Sequence, residues 1–302
     1  MNKINVLSLF DGISCGHVAL NKLGIEIDTY YASEIDKYAI SVTMENHPET
    51  IQLGSVVDVD TTKIKPIDLL IGGSPCQSFT FAGKRQGMST TDKKEITTLE
   101  QYLDLKSQGF QFEGQSYLFW EYVRIWKELK PKYFLLENVR MEQKWKDVIT
   151  KTMGVEPHAI NSNIFSATNR QRLYWTNIPV DELPEQSKLV LKDIVEEGVG
   201  IKYQLTYKHH QGFLKSYKWK HCELNEKSKP LLASYYKQPP HCPYIPCNVS
   251  TSGFRRLTPT ECERLMGLPT GYTSVVSDTQ RYKSTGNGWQ VDTVIHLFKN
   301  IN

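Results

Sequence analysis

A chain of 302 residues, 39% hydrophobic and 23% charged, holds enough apolar material for one sizeable core and a smaller second lobe. No apolar run approaches the roughly 20 residues that a bilayer span needs, and the first ten residues lack the apolar stretch and cleavage site of a secretory leader. The six cysteines follow no disulfide-framework spacing, which suits a reducing, cytoplasmic setting. The net charge of +3 is unevenly spread. Residues 201–256 carry ten Lys/Arg against Glu223 and Glu226, a net of +8, which leaves −5 for the remainder. Six tyrosines, Trp219 and four histidines are interleaved with that charge. Such a segment fits a phosphate-contacting surface, although a solvated lysine-rich face has the same composition.

In chain order, residues 4–9 read as a strand, followed by a glycine-containing turn at 11–16 and a helix from His17 to Leu23 closed by Gly24. A second strand runs from Asp28 to Ser33 and a helix from Lys37 to Asn46. Ile67 to Ile71 is a short apolar run of the buried parallel type, broken at Gly72-Gly73. Ile96, Leu99, Tyr102 and Leu103 fit one face of a small helix within the stretch from Met88 to Gln115. Tyr117 to Leu129 reads as a helix and Lys132 to Leu136 as a strand ending at Glu137. Alternation at this spacing predicts a doubly wound, Rossmann-like α/β domain over residues 1–180. From about Asp181 prolines punctuate short irregular segments, which predicts a smaller lobe over 181–272. Leu257 to Gly267 reads as a helix capped by Thr258, and Gly288 to Asn300 as a closing helix, so that 273–302 rejoins the large domain.

The chemically suggestive residues all follow predicted strands, where open α/β sheets bind ligands. Phe10 to Gly16 lies where a cofactor meets backbone N–H groups, and Glu34 stands where an acid can hold ribose hydroxyls. Cys76, after Gly72-Gly73-Ser74-Pro75, is a thiol in a constrained polar loop, with Lys84 and Arg85 near enough in sequence to favour its thiolate. A small buried thiol is the plainer alternative. Glu137 ends an apolar strand, where a desolvated carboxylate is suited to sharing a proton with a ligand. Cys222, Cys242 and Cys247, with His221 and His241, match no common metal-ligand spacing, so no metal is expected.

Together these pieces resemble the cytosine-5 DNA methyltransferase family of bacteria and phages, with a looser likeness to its animal de novo branch. Phe10–Gly16 resembles the cofactor loop, Tyr31–Asp36 the ribose motif, Gly73-Ser-Pro-Cys76-Gln the nucleophile loop and Glu137-Asn138-Val139 the Glu-Asn-Val motif. Asn169–Tyr174 is similar to the Arg-x-Arg motif, Arg256–Pro269 to the motif that organises target recognition, and Gly286-Asn287-Gly288 to the closing motif. The resemblance implies S-adenosylmethionine-dependent methylation of cytosine C5 in double-stranded DNA. Cys76 would attack C6 of a flipped base, Glu137 would hold a proton at N3, and Arg172, supported by Arg170, would hold the base. It also implies cofactor contacts from Phe10, Asp11, Gly12, Ile13, Ser14, Cys15, Gly16, Glu34, Ile35, Ser55, Val56, Gly73, Asn287, Gly288 and Trp289. DNA contacts are expected from Gln77, Ser78, Thr80, Lys84, Arg85, Lys218, Lys220, Arg255 and Arg256, in a nucleoid-associated monomer needing no protein partner. The loop after Cys76 would close over the base.

Four positions depart from the family pattern. Ser14 replaces the second glycine of the cofactor loop, and Ser55 an aspartate that faces adenine. Thr168 replaces a glutamine, and residues 88–115 form a long insertion. A transfer-RNA cytosine-5 methyltransferase on the same scaffold, and a catalytically silent DNA-binding relative, are the competing readings.

Overall fold

The computed structural model describes residues 3–75, 88–216 and 219–301. Its first half alternates β1 (Ile4–Leu9), α1 (Cys15–Lys22), β2 (Ile27–Ser33), α2 (Lys37–Asn46), β3 (Ile51–Gln52) and β4 (Leu69–Gly73). There follow α3 (Leu99–Ser107), α4 (Phe119–Leu129), β5 (Tyr133–Asn138), α5 (Gln143–Met153), β6 (His158–Asn161) and β7 (Gln171–Thr176). The remainder holds α6 (Tyr207–Leu214), the hairpin β8 (Tyr244–Pro246) and β9 (Phe254–Arg256), then α7 (Pro259–Leu265), α8 (Asp278–Asn287) and α9 (Val291–Phe298).

The seven strands of the main sheet lie in the order β3-β2-β1-β4-β5-β7-β6. All neighbours are parallel except β7, which runs antiparallel to both β5 and β6. Because β1 connects onward to β2 on one side while β4 leads to β5 on the other, the β1/β4 boundary is the sheet's topological switch point, where a crevice opens. Apolar side chains fill both faces of β1 and β4, the reason these strands read as continuous hydrophobic runs.

Two buried clusters flank the sheet. One gathers α3, α4 and α5 with Phe134, Leu136 and Trp175. The other joins α1 and α9 to the far face and continues without a break into Leu231, Tyr235, Tyr244 and Leu257 of the irregular region. Residues 88–115 belong to the first cluster: Met88, Ile96, Leu99, Tyr102 and Leu105 are buried. Leu103, expected on that face, is 38% exposed, and Leu105 points inward instead. Ile96 precedes the helix, so a period counted from it runs out of phase. Inside this layer Glu121 is fully buried and satisfied by Tyr102 Oη at 2.5 Å, Lys106 Nζ at 2.5 Å and Arg124 Nε at 2.7 Å.

Several boundaries differ from expectation. The first helix begins at Cys15, and β5 runs one residue past Glu137, through Asn138. α5, β6, β7 and α8 are additional to the predicted elements. α5 carries a legible signal, Trp145, Ile149 and Met153 at four-residue spacing. α8 carries none, because it buries Ser284, Thr285 and Gly286 beside Tyr282.

Candidate active site

Residues 10–14, after β1, turn by alternating into the left-handed region: φ is 56° at Phe10, 61° at Gly12 and 56° at Ser14. Gly12 has open space where a Cβ would stand, and its N–H donates to Glu34 Oε2 at 2.8 Å. The other Glu34 oxygen accepts from the N–H groups of Ile35 and Asp36 at 2.7 and 2.8 Å. Ile35 is 70% exposed beside it. The acid at the end of β2 is thus aimed at the turn after β1, with an apolar side chain open to solvent next to it.

The rest of the turn faces inward. Asp11 binds Ser14 Oγ through one carboxylate oxygen and accepts from Tyr30 Oη at 2.9 Å through the other, while burial pushes its carboxyl pKa up. Ser14 Oγ also bonds Thr43 Oγ1 at 2.9 Å. Ile13 is buried and its carbonyl accepts from Tyr272 Oη at 2.9 Å. Cys15 is buried, and desolvation pushes its thiol up to about 12. A Cβ at Gly16 would collide with Ile71 Cδ1. What these residues present outward is therefore backbone; their side chains secure the turn. Of the residues expected near adenine, Val56 is buried and Ser55 begins a single helical turn without a side-chain cap.

The carboxyl edge of β4, β5 and β7 brings the remaining residues together. Register pairs Gly73 with Glu137, and Glu137 with Tyr174. Arg172, two residues before Tyr174 on the antiparallel strand, falls on the same face one step nearer the edge. Its guanidinium forms an ion pair with Glu137, Nε lying 2.8 Å from Oε1, and the indole N–H of Trp289 donates to Glu137 Oε2 at 3.2 Å. Both side chains of the ion pair remain reachable, 11% exposed for Glu137 and 18% for Arg172. Asn138 Nδ2 donates to the carbonyl and hydroxyl of Ser74 at 3.2 and 3.1 Å, which ties the loop leaving β4 to β5. Sequence reasoning does not reach that anchoring role for Asn138, although the residue stands in the motif that signals Glu137. Cys76, Gln77, Ser78, Thr80, Lys84, Arg85 and Lys218 lie outside the described residues.

Arg170, expected to support the base, is 3% exposed and turned away from the sheet edge. Its guanidinium donates to the carbonyls of Leu231, Gly286 and Gly288 at 3.1, 3.1 and 2.8 Å. Burial, then the neighbouring Arg172, lowers its pKa to about 10. A Cβ at Gly286 would collide with the backbone of Leu232 and Ala233, so this glycine lets α8 pack directly on that irregular segment. Asn287 is exposed, and Gly288 packs on Cys15.

The basic segment corrects a simple reading of its charge. Arg255, expected to contact DNA, is 5% exposed and forms a two-point ion pair with fully buried Glu261, at 2.7 and 2.8 Å. No part of that fork is left to meet a phosphate. Arg256 lies over the rings of Tyr203 and Tyr282, 5.6 and 5.0 Å from their centroids. Lys202 pairs with Asp278, Lys227 donates to the carbonyls of Ser166 and Ser187, and Lys229 donates to that of Lys220. Lys208, Lys215, Lys220 and Lys237 remain exposed.

Comparison with known proteins agrees with this architecture. The profile of the C-5 cytosine-specific DNA methylase family matches residues 4–302. The orphan methyltransferase M.Rho11sI of Bacillus phage rho11s is 31% identical over 66% of this chain and 38% of its own length. The orphan methyltransferase M.SPRI of Bacillus phage SPR is 31% identical over 66% and 44%. The chain thus spans less than half the length of these two relatives. The type II methyltransferase M1.ScrFI of Lactococcus lactis subsp. cremoris is 28% identical over 97% of this chain and 76% of its own. Among solved structures, the Dnmt2 methyltransferase of S. pombe superposes with a TM-score of 0.71 at 17% identity, over 98% of this chain and 97% of that one. The methyltransferase EhMeth of Entamoeba histolytica gives 0.74 at 15%, over 99% and 98%. At such identities the structures attest the fold, a Rossmann-like methyltransferase sheet. No helix among the described residues is long and apolar enough to cross a membrane. The chain belongs to the C-5 cytosine-specific DNA methylase family.

Proposed function

We propose that the protein methylates C5 of cytosine within a specific sequence of double-stranded DNA, using S-adenosylmethionine. The observation that carries this reading is the carboxylate of Glu137 at the sheet edge, held by Arg172 and Trp289 one strand away from the loop that leads to Pro75 and Cys76. The open turn at Gly12, the Glu34 carboxylate aimed at it and the exposed apolar Ile35 suit a ribose and an adenine in the switch-point crevice. Glu34 would hold the ribose hydroxyls, and Ile35 and Val56 would flank the base. When bound, S-adenosylmethionine supplies an electrophilic methyl group.

Cytosine C5 is too weak a nucleophile to use such a group unaided. The Cys76 thiolate would form a bond to C6 while Glu137 places a proton on N3, so that electron density moves onto C5 as an enamine. Arg172 would fix the Glu137 carboxyl and reach the base's carbonyl oxygen. Once C5 carries the methyl group, a solvent base would take the C5 proton, the electron pair of that bond would re-form the C5–C6 double bond and expel the Cys76 thiolate, and the N3 proton would return to Glu137. Desolvation raises the thiol pKa of Cys15, Cys222, Cys242 and Cys262, which disfavours their thiolates as nucleophiles. The base must leave the duplex to reach this edge. Residues 181–272 are the proposed target-recognition lobe.

Transfer of a labelled methyl group to duplex DNA and to transfer RNA, followed by bisulfite sequencing of the DNA, tests the reading. Duplex DNA should be methylated at one cytosine of a defined sequence, and Cys76→Ala should abolish transfer while cofactor affinity stays within about threefold. A duplex with 5-fluorocytosine at the target should trap a covalent complex. Preferential methylation of transfer RNA would replace the DNA assignment, and near-wild-type turnover by Cys76→Ala would remove the nucleophile.

A further inference from the structure

We propose that Trp289 is a positioning residue for the reaction: its indole N–H holds one oxygen of Glu137 while Arg172 holds the other, fixing the plane in which the carboxyl group meets the base. This rests on the assignment of Glu137 above.

A carboxylate held by a single donor can swing about its last torsion, which is broad and nearly two-fold for glutamate. Two partners, one on each oxygen, remove that freedom. Arg172 Nε is ion-paired with Oε1 at 2.8 Å and Trp289 Nε1 donates to Oε2 at 3.2 Å, from β7 on one side and the link between α8 and α9 on the other. Each oxygen keeps lone-pair capacity for a proton shared with a ligand.

The indole is itself locked in place. Gly288, immediately before it, has its carbonyl bonded by Arg170 Nη2 at 2.8 Å, and a Cβ at Gly288 would lie 3.1 Å from the Cys15 sulfur, so the link packs closely on α1. Gln290, immediately after, caps α9 through Thr293 N–H at 2.7 Å. Its neighbour Val291 donates its N–H to the Met266 carbonyl at 2.9 Å. Arg170 therefore acts on the site through the short link that carries Trp289. Gly73 completes the arrangement, since a Cβ there would come within 2.9 Å of both Glu137 Oε2 and Trp289 Nε1. The glycine before the nucleophile loop leaves room for the carboxylate and the indole to meet. Holding a group to within a fraction of an ångström on rigid elements is what gives positioning its effect on rate.

The test is single-turnover methyl transfer to duplex DNA by Trp289→Phe, Trp289→His, Glu137→Gln and the pairwise combinations, with cofactor affinity measured in parallel. Trp289→Phe keeps the aromatic bulk and loses the donor, so its rate should fall about tenfold with cofactor affinity within about threefold. Trp289→His restores a ring N–H and should recover part of the loss. In the Glu137→Gln background the Trp289 substitutions should add almost nothing, because both act through one group. Full activity of Trp289→Phe, a loss confined to cofactor affinity, or effects that multiply with those of Glu137→Gln would each overturn the proposal. Should Trp289→Phe fail to fold, the same non-additivity is read from Trp289→His. Wild-type speed in Glu137→Gln would instead overturn the assignment of Glu137 itself.

Discussion

The carboxyl edge of the sheet and the basic segment at 201–256 use charge in opposite ways. At the edge the carboxyl group of Glu137 and the guanidinium of Arg172 face each other because strand register puts them there, and both remain within reach of a ligand. The basic segment holds ten cationic side chains, yet at least five of them make contacts within the molecule: Lys202, Lys227, Lys229, Arg255 and Arg256 stitch short irregular pieces to one another and to α7, α8 and the β6–β7 connection. A region with little regular secondary structure has many backbone carbonyls to satisfy, and long cationic side chains do so from a distance. Abundance of charge therefore says less about binding than the geometry that holds a single pair.

Substitutions should separate the two uses. Arg172→Ala is expected to lower the methyl-transfer rate by about 10²–10³-fold, since it releases Glu137 and removes a donor to the base. Its thermal unfolding should stay near that of the parent, because Glu137 at the edge can still reach water. Arg255→Ala should do the reverse. It strands fully buried Glu261, which also accepts from the backbone of Glu196 and Thr258 at 2.7 Å each. Breaking such a pair costs roughly 3–5 kcal/mol of stability, measurable by denaturant unfolding. Equal stability of the two variants would erase the distinction. Replacing exposed Lys208 and Lys215 by glutamate should weaken DNA binding and flatten its salt dependence, by about one unit of slope for every phosphate that is no longer neutralised. Unchanged affinity would make this face an ordinary solvated surface.

A smaller effect concerns the back of the cofactor turn. His17 and His47 stack with ring centroids 3.8 Å apart, and His47 Nε2 meets Tyr272 Oη, which in turn donates to the Ile13 carbonyl. Burial lowers their pKa values to about 3 and about 4, well below the ordinary 6.5. The unfolded chain therefore binds more protons than the folded one in this window. The contribution is fully present above pH 6.5 and is lost as pH falls toward 4. His17→Phe should reduce the acid sensitivity of the melting temperature over that range; an unaltered pH profile would show that the stack is not its source.

How much of this could be read from the residues divides along the same line. Strands and glycine turns in the first half were legible because parallel strands are uniformly apolar and turns need particular residues. Glu137, Arg172 and Glu34 were legible as members of ordered motifs, but the bonds among them depend on register between strands that are far apart in sequence. The long connection from Gly73 to Tyr133 hides that register, and β7 opens on the polar pair Gln171-Arg172, which masks its strand character. The inward turn of Arg255 was illegible for a different reason. Its partner Glu261 reads as an ordinary first-turn acid of α7 in a capping box, and the backbone of Glu196 that also meets its carboxylate lies 65 residues away in the chain. Trp289 gave no periodic signal at all, since it lies between two helices.

The smallest expected effect falls at Ser14, and its sign tests how the cofactor turn is held. Ser14 sits at φ 56° and ψ 39°, a conformation that costs an L-residue of order 1–3 kcal/mol and a glycine almost nothing. Its hydroxyl offsets that strain with bonds to Asp11 and Thr43, each worth roughly 0.5–1.5 kcal/mol. Ser14→Gly relieves the backbone, loses both bonds and gains unfolded-state entropy, so the terms nearly cancel and stability should move by less than about 1 kcal/mol. Ser14→Ala keeps the strain while losing the same bonds, and should be the less stable of the two. If the alanine variant melts no lower than the glycine variant, the left-handed turn is not strained at this position. The serine is then held there by its side-chain bonds alone, and the departure from glycine in this loop needs no backbone compensation.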